Sequence, residues 1–306
     1  EKSDAQPLAP PPADAPPPPP SMVTPPREDE GMMAAKKARM ARLDAQRART
    51  AACEKELLSA AKTIKSINKD VFAKPVEVRE SAKELIATMA ASMLVDADVS
   101  IQLMADKIGK EDVYFHSLNV SILSMMLAKE LKAPAPVVQM VGMAALFHDI
   151  GELEIPDRII KTQEALNKSE LALWHQHCEY GVNIGKKMGL SAEVLQVILQ
   201  HHEKVDGSGF PQGVKAAQMS LLSRIVSLVN AYDELCNPNN LAKALTPHEA
   251  LSTMFAQQRN QYDQLAMSTF VRCMGVYPPG TIVVLSNGAT GMVVSVNTTK
   301  PLRPMV

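Results

Sequence analysis

The chain has 306 residues, long enough to bury a sizeable core in one large domain or two small ones. With 46% hydrophobic and 21% charged residues it has an ordinary globular composition, and a net charge of −1 excludes a globally basic polymer binder or an acidic tail. Six Phe, five Tyr and one Trp against 18 Met favour packed helices over a β-sandwich, and no apolar run approaches the roughly 18 residues that a membrane span needs.

Eleven of the 22 prolines lie in the first 26 residues, so residues 1–31 read as a semi-rigid linker, with a Pro-rich ligand as the sharper alternative. The chain opens at Glu1 with neither a methionine nor a signal-like apolar segment and is read as a piece of something longer. Residues 32–80 form a helical connector. Its Lys36, Lys37, Arg39, Arg42, Arg47 and Arg49 are read as a solvated face in preference to a nucleic-acid or membrane contact. From 81 to 276 the pattern is helical. His116, Val120, Leu123 and Leu127 share one helix face, and Val137 to Phe147 is a short apolar helix ending at His148-Asp149. Asn167 with Glu170 opens a helix whose inward stripe is His177, Gly181, Ile184 and Met188. Ser191 opens another that leads to His201-His202; a glycine-rich loop, a helix from Met219 to Cys236 and one from Pro247 to Gly275 follow. Residues 277–306 form a small β extension, a hairpin turning at Asn287-Gly288. The fold class is mainly α with a small C-terminal β-hairpin.

Six of the seven histidines lie between residues 116 and 202, several of them where an apolar stripe reaches a helix end. Burying imidazoles together is unfavourable unless something binds their lone pairs. A metal ion does so, and Asp149 supplies compensating charge. Cys53, Cys178, Cys236 and Cys273 form no CxxC pair, so nitrogen and oxygen ligands are expected, suiting iron, manganese or zinc; the ligands are too many for one tetrahedral ion. His175, two residues from His177, belongs on the rim; His248 is read as structural, and Trp174 as core or interface.

His116-Ser-Leu-Asn-Val, His148-Asp-Ile-Gly, His177-xxx-Gly181 and His201-His-Glu-xxx-Asp-Gly-Ser-Gly-Phe-Pro211 resemble the ordered signature of the HD-GYP family, a branch of the HD metal-dependent phosphohydrolases. The resemblance spans roughly residues 54–306. It implies a helical catalytic domain that hydrolyses cyclic di-GMP to pGpG and GMP, through a hydroxide bridging two metals. By resemblance His116, His148, Asp149 and Asn230 form the first site, and Asp149, His177, His201 and His202 the second, with Asp149 positioning the hydroxide. Iron or manganese is expected first, with zinc, nickel and magnesium behind. Gly207, Gly209, Phe210 and Pro211 form the substrate loop, with Arg158, Lys161 and Lys204 as candidate phosphate contacts. The expected partners are cyclic di-GMP or a related cyclic dinucleotide, a GGDEF-type diguanylate cyclase and a second copy of the chain, with no nucleic-acid polymer, in the cytoplasm.

Four departures from the family pattern stand out. Asn230 replaces an aspartate, Glu152 a lysine, and Phe210 the signature tyrosine; Asn237-Pro-Asn-Asn-Leu replaces an Arg-x-x-Arg. Glu152 and the missing arginines take positive charge from the place where a dianion is to sit, while Asn230 removes an anionic ligand; Asp112 and Glu152 restore the charge if they hold a third metal. The alternative reading is a degenerate domain that binds metal or nucleotide as a sensor, or docks a diguanylate cyclase.

Overall fold

Helix α1 (Glu28–Asp70) begins inside the stretch expected as linker. The computed structural model describes residues 28–92, 101, 113–162, 164–297 and 303–306, so the rest of that linker and Asp112 lie outside the described residues. The chain divides into a unit ending at Arg47 and a unit from Ala48 onward. Through Arg47 the described part of α1 is exposed and rich in Lys and Arg. From Cys53 its apolar residues recur at helical spacing, Leu57, Ala60, Ile64 and Ile67, and with Val71 just beyond its end are buried in the main core. Helix α2 (Pro75–Ala91) starts with proline at its first turn and buries Val78, Ala82, Ile86 and Met89. The expected boundary between residues 80 and 81 therefore falls inside α2, and the core reaches back to Cys53.

Helix α3 (Val113–Glu130) is buried on every side from Ser117 to Ala128. Such a helix has no solvent face to reserve for charge, which is why its sequence carries Ser, Asn, Leu and Met all round. It packs against α4 (Ala135–Leu146), α9 (Leu221–Cys236) and α11 (Gln264–Met274). The Ser121 hydroxyl donates to the Gly142 carbonyl at 2.9 Å, satisfying a buried polar group between α3 and α4.

After α4 a 3-10 turn (Ile150–Glu154) and the short α5 (Asp157–Ile160) lead to α6 (Lys168–His175), α7 (His177–Met188) and α8 (Ala192–Gln200). The Asn167–Glu170 capping box starts α6, and the Ser191 side chain accepts the Val194 N–H at the start of α8, as local sequence signals predict. Two expected helices are each divided. The segment from Asn167 to Met188 breaks at Gln176, because the His177 imidazole takes the Trp174 carbonyl that a continuing helix would use. The segment from Pro247 to Gly275 divides into α10 (Pro247–Gln257) and α11. Asp263 caps the second helix through the Ala266 N–H and is itself held by Arg224 at 3.0 Å. The hairpin pairs β1 (Ile282–Val284) with β2 (Thr290–Met292), antiparallel around Gly288 at φ 82°. The run after Met292 turns to the C-terminus instead, where Ser295 pairs with Met305. The observed architecture is thus mainly α with one two-stranded antiparallel sheet among the described residues.

Candidate metal centre

Three histidines stand one or two residues past a helix C-terminus, His177 also opening α7, and do the same two things. His148, His177 and His201 each donate Nδ1–H to a carbonyl three residues back, of Ala145 (2.7 Å), Trp174 (2.6 Å) and Ile198 (2.7 Å). Those carbonyls are among the groups a helix end leaves unpaired, so the imidazoles cap α4, α6 and α8. The same bond places the remaining lone pair on Nε2. All three rings are buried, and their Nε2 atoms converge.

At His177 and His201 the convergence leaves an acceptor facing an acceptor. His177 Nε2 lies 3.0 Å from His201 Nε2, and both have committed their proton elsewhere. His148 Nε2 lies 3.1 Å from His116 Nε2 and 3.2 Å from Asn230 Oδ1. Between the two groups stands Asp149, whose Oδ2 is 3.0 Å from His148 and 3.3 Å from His116. Its Oδ1 is 3.2 Å from His201 and 3.6 Å from His177. Among the described residues, buried Asp149 Oδ1 and His202 Nε2 have no hydrogen-bond partner. Lone pairs this close and this dry are repulsive unless a cation lies among them. The residues therefore fit divalent metal ions, as two overlapping donor sets: Asp149, His177, His201 and His202, and His116, His148 and Asp149.

His116 is oriented from the far side. Its Nδ1 donates to Asp233 Oδ2 at 2.7 Å, and Asn119 Nδ2 donates to the other Asp233 oxygen at 3.0 Å. Burial opposes protonation of His116, but Asp149 and Asp233 outweigh it and raise its pKa well above the ordinary value. Burial also works against the charge on Asp149, yet the surrounding imidazoles hold its carboxyl well below the usual range. His177, with no such carboxylate bonded to it, is pushed down to about 4 by burial. A neutral, lone-pair-bearing His177 at pH 7 is the form that a metal requires.

The glycine-rich loop closes the other side. Buried Glu203 accepts the Gln212 N–H at 2.6 Å and the Val214 N–H at 3.1 Å, clamping the loop to the end of α8. Gly209 lies against the backbone of residues 202–204, with no room for a Cβ, and Gly207 adopts φ 86°. Phe210, followed by Pro211, stacks on His175 at 3.8 Å and on His202 at 4.4 Å between ring centroids. Trp174 packs on His177, His202 and Phe210 and donates Nε1–H to Glu152 at 3.0 Å. A cavity of about 410 Å³ opens here, lined by His202, Lys204, Phe210, Asn230, Glu234 and Tyr262 among others.

Of the sequence-predicted residues, the structure brings together His116, His148, Asp149, His177, His201, His202 and Asn230. Lys204 lines the cavity, whereas Arg158 pairs with Glu170 and Lys161 with Asp157, and neither is part of the lining. Glu152 is bonded to Trp174 and lies outside both donor sets; burial, and then the Asp149 charge, push its pKa up to about 8. His248 is structural: its Nδ1 donates to the Val276 carbonyl at 2.6 Å. Sequence reasoning missed Glu203, Glu234 and the place of Trp174 against the ligands. Trp174 stands three residues before His177 and Glu203 follows the His pair, spacings that pointed to both.

Residues 89–265 match the HD domain family. The chain belongs to that family, in its HD-GYP branch. Over 226 residues it is 33% identical to the cyclic di-GMP phosphodiesterase PA4108 of Pseudomonas aeruginosa, covering 74% of this chain and 54% of that protein. A cyclic di-GMP phosphodiesterase of Thermotoga maritima is 29% identical over 199 residues, 62% of this chain and 52% of its own length. The chain thus spans about half the length of the curated relatives it matches. Bd1817, a HDG"Y"P protein from Bdellovibrio bacteriovorus, shares the fold with a TM-score of 0.61 at 20% identity, over 72% of this chain and 71% of that one. Among the described residues no helix is long and apolar enough to cross a membrane.

Proposed function

We infer that this HD-GYP chain is a metal-dependent phosphodiesterase that opens cyclic di-GMP to pGpG and carries it on to GMP. The observation that carries the reading is the paired donor set sharing Asp149, with unprotonated Nε2 atoms converging from three helix ends. Both curated relatives reported above are named for hydrolysis of cyclic di-GMP. His116, His148, Asp149 and Asn230 would hold one ion, and Asp149, His177, His201 and His202 the other. Bound there, two divalent cations supply Lewis acidity for activating water and for neutralising a phosphodiester. Asp233 orients His116, and backbone carbonyls fix the imidazoles of His148, His177 and His201, so most of the donor set needs little rearrangement to act. Glu203 and Gly209 hold the loop that brings Phe210 over His202, shielding that side from water. Lys204 is the one Lys or Arg among the residues lining the cavity and is placed to meet a substrate phosphate.

A specific observation favours a second reading, a metal- or nucleotide-binding module without turnover. The amide of Asn230 brings no charge to the first site, and the cavity is lined by the carboxylate of Glu234. The discriminating experiment loads the chain with Fe²⁺ or Mn²⁺ under anaerobic conditions and follows cyclic di-GMP and cyclic GMP–AMP by chromatography. Formation of pGpG and GMP supports the enzyme; a protein with two metals per chain and no product from either nucleotide overturns it and leaves the binding module.

A further inference from the structure

Asn230 faces the first site the wrong way round for its own hydrogen bonding. His148 Nδ1 already donates to Ala145, so its Nε2 is an acceptor, and Asn230 presents Oδ1 to it at 3.2 Å. An amide free to rotate would turn its NH₂ to that nitrogen and bond it, closing the first site to a cation. Asn230 is 1% exposed, so no bulk water rewards the observed orientation. What holds it is one helical turn further along α9: Asn230 Nδ2 donates to Glu234 Oε1 at 2.9 Å. A carboxylate accepts and does not donate, so Glu234 binds the NH₂ end and leaves the oxygen end for the site.

We propose that Glu234 is the positioning residue of the first metal site. It fixes which end of the Asn230 amide meets the metal and supplies, one hydrogen bond away, the negative charge that an aspartate at this place would have carried itself. The inference rests on the reading that these residues hold metal, not on turnover. Its consequence is a reversal of sign. With asparagine at 230 the Glu234 carboxylate supports the site. With aspartate at 230 it would stand about 2.9 Å from a second carboxylate and oppose it.

The test is a mutant cycle read as Mn²⁺ affinity at the two sites, by titration of chelated protein with electron paramagnetic resonance and elemental analysis. Glu234→Ala is expected to weaken the first site by about 10- to 100-fold, the usual effect of losing an outer partner of a ligand. Glu234→Gln, whose side-chain oxygen still accepts from Asn230 but carries no charge, is expected to fall between Glu234→Ala and the native protein. Glu234 reaches the second site only through the 3.9 Å approach of its Oε1 to His202 Nδ1, so that site should lose less affinity than the first, and circular dichroism should report correct folding. In an Asn230→Asp background, Glu234→Gln should instead tighten the first site. Loss of affinity of the same size in both backgrounds, or first-site affinity within twofold of native in both single variants, overturns the assignment while the metal reading stands. A native protein that binds no Mn²⁺ overturns the metal reading and this inference with it.

Discussion

Replacing Glu203 by glutamine tests whether the glycine-rich loop is held from below. The carboxylate is fully buried, and each of its oxygens accepts a different backbone N–H of the loop, at 2.6 and 3.1 Å. Glutamine keeps the shape but has one oxygen, so one loop N–H would face an NH₂ group. Losing one charge-assisted bond and leaving a buried donor unpaired costs about 2–4 kcal/mol together. At roughly 2–4 °C per kcal/mol for a domain of this size, Tm should fall by about 5–15 °C. The measurement is thermal unfolding followed by circular dichroism on chelated protein, so that metal affinity does not enter. Because Phe210 rides on the same loop, brief trypsin treatment should also cut faster after Lys204 and Lys215. A variant that melts within about 2 °C of the native chain and resists trypsin equally would refute the clamp.

The shared carboxylate makes Asp149→Ala lose both metals, whereas His177→Ala should empty mainly the second site; equal metal content by elemental analysis in the two variants would end the two-site division. Trp174, the chain's one tryptophan, has its ring 5.0 Å from that of His177, so its fluorescence should be quenched as Mn²⁺ fills the second site, and His177→Ala should abolish the response. With His177 held to about 4 against an ordinary 6.5, the unfolded chain takes up a proton below pH 6.5 that the native chain refuses. His177 thus makes the metal-free protein lose about 3 kcal/mol as pH falls from 6.5 to 4. His177→Asn should flatten urea-unfolding stability across that window, and an unchanged slope would contradict the argument.

Much of the site was legible because its parts are local in sequence. The 4, 3, 4 spacings that begin at His116 and at His177 follow from helical periodicity alone, and the Asn167 and Ser191 caps from hydrogen bonding within one turn. The ordered His-Asp motifs were enough to suggest the family. Other features were set only when distant segments met. Asp233 reaches His116 across 117 residues of chain, and Asn230 reaches His148 across 82. No periodicity in sequence encodes such a pairing. The helix break at Gln176 depends on an imidazole competing for a carbonyl, and the one before α11 on Arg224 holding Asp263 from another helix. Arg158, Lys161 and Lys204 were alike as cations; only packing put Lys204 at the cavity and left the other two paired with surface acids. Sequence by itself determined which groups are present and which face of each helix they occupy, since both follow from bonds within a turn or two. Which lone pairs confront each other, and which carboxylate stands behind Asn230 to turn its oxygen toward the site, was decided by the tertiary structure, because those distances exist only once α3, α4, α7, α8 and α9 are packed together.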